Sequence, residues 1–268
     1  MFNRILSLLL SLTLAVAAVA ADEMPDPKEI VEKMVAAAGG EAFANLGVLE
    51  LEVTEEEIRN DGTLSGTSYS LFVDTSNLDN MRMELPGEVV VATNRNGGWS
   101  TTANVLDDRQ QVPKMAKLAI NQAVFPLLLP YSLQMEGVWL KEVREAQVEG
   151  REVWVISIPF SKGFFVNPVM ESTWILVVAK DDFSFQSLEF APAPAFADVS
   201  PVGVRYRILK QKEIDGAAVV EQVLATGINS EYRESGANRV TKIASKAQAW
   251  DPTLFLSPQQ LEALEKDD

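Results

Sequence analysis

The sequence predicts a mainly β (α+β) fold, a strongly curved antiparallel sheet interrupted by one helical insertion. Three observations predict it. Short segments of the chain alternate apolar and polar residues with period two. Turn dipeptides separate them, Asp61-Gly62 and Asn96-Gly97 among them. No strand–helix–strand alternation of the kind that builds parallel sheets runs through the chain.

The elements follow in order. Pro27 to Ala38 reads as a first helix: Asp26 is placed to cap it, Pro27 suits its first position, and Ile30, Met34 and Ala37 or Ala38 keep the spacing of an apolar stripe. Gly39-Gly40 ends it, and Glu41 to Leu46 makes a short second turn. Leu49, Leu51 and Val53 alternate with Glu50, Glu52 and Thr54, so this strand has one dry face. Strands are expected at Leu64 to Val73, through Met81, Met83 and Leu85, at Glu88 to Thr93, and from Trp99. The pattern breaks at Pro113. Met115, Leu118, Ala119, Gln122 and Phe125 have helical spacing, so Lys114 to Leu133 is expected to be a helical insertion lying over the sheet, with an apolar end at Phe125 to Tyr131.

Strands resume at Val138 to Val148. Trp154, Ile156, Ile158 and Phe160 share a face of the next one, and Trp174 to Ala179 is apolar on both sides. Phe183 to Phe190 follows, then an irregular Ala191 to Pro201. Val204, Tyr206 and Ile208 alternate with Arg205 and Arg207, and Ala217 to Ile228 and Arg239 to Ala247 complete the sheet. Pro258 to Lys266 is a closing helix capped by Ser257.

Residues 1–21 read as a cleaved secretory signal, with Arg4 as the positive start, an apolar run from Ile5 to Val19 and the small-residue site Ala18-Val19-Ala20. The expected locale is therefore the periplasm, with residues 22–268 as a single domain. Arg4 is the only charged residue of this leader, so its removal takes the formal charge from −15 to −16. That balance disfavours nucleic acid and anionic membrane surfaces as partners. Cysteine is absent, which excludes disulfides and the lipidated cysteine of a bacterial lipoprotein. Beyond the leader, the longest apolar stretch, Ala123 to Leu129, falls well short of the ~20 residues of a transmembrane anchor. Histidine is absent as well. Histidine-based nucleophile triads and His/Cys zinc or copper sites are thereby excluded, and no cofactor is expected. Glu55-Glu56-Glu57 and Asp107-Asp108 lack the ligand spacing of a calcium loop and read as solvated charge.

Several segments carry a resemblance. Ala38-Gly39-Gly40 closes a helix and is followed by Phe43-Ala44-Asn45-Leu46 and an amphipathic strand. Arg82-Met83-Glu84 precedes Asn96-Gly97-Gly98-Trp99, and Glu149-Gly150-Arg151-Glu152-Val153-Trp154-Val155-Ile156 follows the insertion. In this order they resemble the LolA-like superfamily of periplasmic outer-membrane lipoprotein carrier and sorting proteins. The order of elements carries the resemblance, over most of the chain after the leader. It implies a half-barrel sheet whose concave face is covered by helices and in which acyl chains or other apolar ligands are held. The chain is longer and more acidic than the dedicated carrier, whose functional arginine and loop positions have no residue-by-residue match here. The fold and an apolar ligand carry over, lipoprotein transfer as such does not.

The candidate ligand-binding residues are those of the dry strand faces, Met81, Met83, Trp99, Trp154, Ile156, Ile158, Trp174, Leu176 and Tyr206, with Phe125 and Leu128 of the insertion above them. Aromatics and flexible methionines suit an adaptable apolar site; the alternative is that they form ordinary core. Phe164 and Phe165, in the run to Pro168, are expected as exposed aromatics of a lid or partner-touching tip, or as a tucked hairpin end. The expected function is non-enzymatic binding of a lipid or lipoprotein acyl chain by a monomer. A second reading is an envelope protein-interaction module with a self-filled core. A third is a carboxylate-based hydrolase, for which no pair of acids stands out.

Overall fold

The computed structural model describes residues 24–58, 64–167, 170, 173–191, 203–229 and 234–267. The leader, the Asp61-Gly62 turn, Pro168 and the stretch from Pro192 to Pro201 lie outside the described residues.

Helices α1 (Pro27–Ala37) and α2 (Gly40–Ala44) lead into a meander of strands: β1 (Val48–Ile58), β2 (Leu64–Asp74), β3 (Met81–Leu85), β4 (Val89–Asn94), β5 (Gly97–Thr102) and β6 (Val105–Leu106). Helix α3 (Val112–Val124) and a 3-10 turn at Tyr131–Gln134 form the insertion. A second meander follows: β7 (Val143–Val148), β8 (Arg151–Ile158), β9 (Trp174–Ala179), β10 (Phe185–Phe190), β11 (Gly203–Ile214), β12 (Ala217–Ile228) and β13 (Glu234–Gln248). A 3-10 turn at Pro252–Phe255 and helix α4 (Pro258–Asp267) close the chain.

The thirteen strands among the described residues make one antiparallel sheet in the order β6-β5-β4-β3-β2-β1-β13-β12-β11-β10-β9-β8-β7. Its two ends do not pair, so it is a half-barrel and not a closed one. This order explains the insertion. The chain leaves the sheet at one edge, β6, and re-enters at the other, β7, so it must cross a face of the sheet. It crosses the concave face. Folding the crossing into α3 and a 3-10 turn satisfies its backbone groups away from water.

Alternation assigns the two faces. Leu49, Leu51 and Val53 of β1 are buried on the concave side, opposite Val73, Leu71 and Tyr69 of β2. Glu50 and Glu56 point the other way and pair with Lys246 (2.9 Å) and Lys242 (2.8 Å) of β13. The outer face has a small apolar patch of its own, Val153, Val155 and Val177.

Helix α1 starts as expected, with the Asp26 carboxylate accepting from the Lys28 amide at 2.8 Å, and buries Ile30, Val31, Met34 and Val35. Gly39 is required where it ends. Its φ is +81°, and an added Cβ would sit 2.1 Å from the Gly216 carbonyl at the β11–β12 turn. The Tyr131 hydroxyl donates to the carbonyl of Ala38 (2.6 Å) and lies 3.0 Å from that of Ala218, tying α1, the insertion and β12 together.

Several elements differ from expectation. The insertion's helix stops at Val124 instead of Leu133, because Pro126 and Pro130 have no amide to continue it. The strand expected from Val138 enters regular pairing only at Val143. Before that it makes single bonds, Trp139 amide to Pro159 carbonyl and Lys141 amide to Ser157 carbonyl, and Pro159 has no N–H to complete the ladder. β10 begins at Phe185, since Phe183 turns the chain at φ +56°. β13 is longer than expected at both ends. At α4 the cap is reciprocal: Ser257 Oγ accepts from the Gln260 amide and Gln260 Oε1 from the Ser257 amide.

Candidate functional site

The middle of the concave face is filled by the chain's own aromatics. Phe125, fully buried, meets four rings edge-on or nearly so: Phe160 at 5.1 Å, Trp174 at 5.7 Å, Phe164 at 5.9 Å and Phe165 at 6.0 Å. Trp174 in turn stacks on Phe165, Phe190 and Tyr206. Its indole N–H donates to the Met170 carbonyl at 2.8 Å. Such offset and edge-on contacts are the favourable geometries for aromatic rings.

This packing corrects one expectation. Phe164 and Phe165 are not an exposed tip. Both are 2% exposed, and the Asn121 amide donates to the Phe164 carbonyl from α3 at 3.1 Å. The sequence shows a run of apolar residues beside a proline, and only the crossing segment decides that the run is covered.

Trp99 requires a second correction. Gly98 faces α3, where a Cβ would sit 2.4 Å from the Pro113 carbonyl and 2.8 Å from the Ala116 methyl. Its neighbour Trp99 therefore points to the outer face. There its indole donates to the Phe255 carbonyl at 3.1 Å, beside Arg82 Nη1 on the Leu254 carbonyl at 3.2 Å. Trp99 holds the C-terminal 3-10 turn against the sheet and does not line the hollow.

The other candidates fall into groups. Met81, Leu128, Ile156, Ile158 and Leu176 are buried in the main core with Phe125 and Trp174. Trp154 is half-buried at the β7 side, with the Lys180 ammonium 4.1 Å above its ring. Of the candidates, Trp99 borders an outer opening beside the C-terminal 3-10 turn, whereas Met83 and Tyr206 line a separate one on the concave side.

That space is a cleft of about 570 Å³ beside the aromatic plug, within the usual range for ligand sites. One wall is the insertion: Ala119, Gln122 and Ala123 of α3, then Pro126 and Leu127. The other is the concave sheet: Met83, Phe190, Val204, Tyr206 and Val223. At one end Glu55, Tyr69, Arg239 and Thr241 form a polar rim. The Tyr69 hydroxyl donates to Glu55 Oε1 at 3.1 Å, and Arg239 Nη1 donates to Oε2 at 3.2 Å. Burial, then the Glu55 carboxylate, pushes the Tyr69 hydroxyl far up, so it stays a donor. Burial also raises Tyr206, with Arg239 acting against the shift.

The rim is what the sequence reading missed. Glu55 sits in an acidic run that reads as solvated, and Glu56 does face outward. Yet Leu49, Leu51, Val53 and Glu55 share one parity, so the dry face of β1 ends in a carboxylate. That parity was the available signal.

A second opening, about 450 Å³, lies on the other side of α3 near the stacked pair Phe43 and Tyr131. Its walls include the polar turn from Thr75 to Asp79, and Lys117 bridges Asp79 (4.0 Å) and Glu136 (3.5 Å) there. It offers less continuous apolar wall than the first cleft. Among the described residues no cluster of three His, Cys, Asp or Glu side chains forms a metal site.

No protein-family model matches the sequence, and comparison with curated proteins finds no significant match. The fold has clear counterparts. A LolA superfamily protein from Nitrosomonas europaea superposes with a TM-score of 0.57 at 11% identity, over 87% of this chain and 98% of that one. The chain has a LolA-like fold. A DUF1329 family protein from Desulfovibrio piger superposes with a TM-score of 0.55 at 14% identity, over 88% of this chain and 100% of that one. The LolA-like frame places the cleft on the concave side of the half-barrel, under the segment that crosses it.

Proposed function

We propose that this LolA-like chain is a periplasmic, non-enzymatic carrier that holds an acyl chain in the cleft between α3–Leu127 and the concave sheet. Residues 1–21 export it, and residues 22–268 act as one soluble, monomeric domain in lipid or lipoprotein trafficking. One observation carries the reading. The cleft's apolar wall residues Met83, Leu127, Phe190 and Val223 belong to the main core and Val204 packs against it, while Glu55, Tyr69 and Arg239 make a polar rim. A molecule with a greasy tail and a polar end matches that gradient. Each methylene taken from water contributes about 0.8 kcal/mol, so a tail of ordinary length supplies micromolar binding or better after ordering costs.

The self-filled aromatic plug suits the protein-interaction reading, but the open cleft beside it favours the carrier. Native mass spectrometry of protein purified from the periplasm, with organic extraction, is the direct test. The expected result is a co-purifying lipid and, after its removal, uptake of the neutral fluorophore N-phenyl-1-naphthylamine at one site. Protein free of lipid that also fails to take up the fluorophore would refute the reading.

A further inference from the structure

Resting on the carrier reading, we infer that the cleft selects acyl amphiphiles with an uncharged, hydrogen-bonding head group over those with an anionic one, and that the Glu55–Arg239 pair at its rim makes the selection. Arg239 is the cation among the described residues lining the cleft, and it is already matched. Glu55 accepts from it through Oε2 and from Tyr69 through Oε1. Glu57 lies directly across the strand pair from Arg239 and adds a second negative charge. A carboxylate or phosphate head reaches Arg239 only beside the Glu55 and Glu57 carboxylates, crowding several anions round one cation, or else by drawing Arg239 off Glu55 and losing their 3.2 Å bond.

An uncharged head meets no such conflict. The guanidinium has five N–H donors and the Glu55 carboxylate about four lone-pair sites, so both keep capacity after pairing with each other. The Arg239 side chain is 42% exposed and that of Glu55 26%, and both line the cleft. A glycerol hydroxyl pair can accept from Arg239 and donate to Glu55 while the ion pair stays intact. The net negative chain repels anions in the same sense at longer range.

The test compares 1-monolaurin with laurate, identical tails with a neutral and an anionic head, by calorimetric titration of the delipidated protein at pH 8 below their aggregation limits. The wild-type protein should bind monolaurin about tenfold more tightly. Glu55→Gln frees Arg239 to meet an anion and should raise laurate affinity about tenfold, reversing or cancelling the preference. Glu55→Gln combined with Arg239→Gln should lose that gain, with melting curves confirming that each variant folds. Laurate binding as tightly as monolaurin to the wild type, or an unchanged preference in folded Glu55→Gln, would overturn the inference while leaving the carrier reading standing. Binding of neither ligand would overturn the carrier reading and this inference with it.

Discussion

Truncating Phe125 to alanine separates a filled interior from a hollow one. The ring is fully buried and touches Phe160, Phe164, Phe165 and Trp174 at centroid distances of 5.1 to 6.0 Å. Removing it forfeits about 2 kcal/mol of transfer free energy. The ring's neighbours are themselves locked, Trp174 by its bond to Met170 and Phe164 through Asn121, so they cannot close the gap. If about 100 Å³ stays empty, the cavity adds about 2 kcal/mol, and Phe125→Ala should cost about 4 kcal/mol. Urea unfolding followed by tryptophan fluorescence measures this, with an unchanged m-value and partial recovery of stability in benzene-saturated buffer. Were the rings merely the walls of a natural ligand cavity, truncation would cost little and would increase uptake of acyl probes. A loss below about 1 kcal/mol would therefore refute the argument that this region is a self-packed plug.

Ala123→Trp projects an indole into the cleft from α3 and should lower fluorophore or monolaurin affinity at least about tenfold, while the melting temperature moves little because the site borders solvent; titration of the purified variant decides it. Gly39→Ala meets both a positive φ and the Gly216 carbonyl, and should destabilise by about 2–4 kcal/mol in the same urea assay. Tyr131→Phe removes the bond to Ala38 and should cost about 1 kcal/mol. Burial pushes the Tyr131 hydroxyl up to about 12 from 10.0, so its contribution is complete below pH 10 and is lost as pH rises through 12. Tyr131→Phe should accordingly flatten part of the alkaline decline in stability, measured by melting between pH 9 and 12.

Much of the architecture was legible because it depends on neighbours along the chain. The capped start of α1 and its glycine stop, the alternation in β1, β3 and β11, and the break at Pro113 are all local signals. The site was less legible. Trp99 alternates as a core residue should, but which face it joins depends on Gly98 meeting α3. Phe164 and Phe165 gave no sign that a segment some forty positions earlier, with Asn121 and Phe125, would cover them. Arg239 and Glu55 are 184 positions apart, and the pairing of β1 with β13 brings them together.

By itself the sequence determined that the chain is built of amphipathic strands with one crossing insertion, because period-two alternation and proline breaks act within a few residues. Tertiary structure alone decided how much of the concave face the crossing occupies, and so where space remains for a ligand. The reason is that filling a curved surface is a matter of volume shared among residues distant in sequence, and no local pattern records that sum.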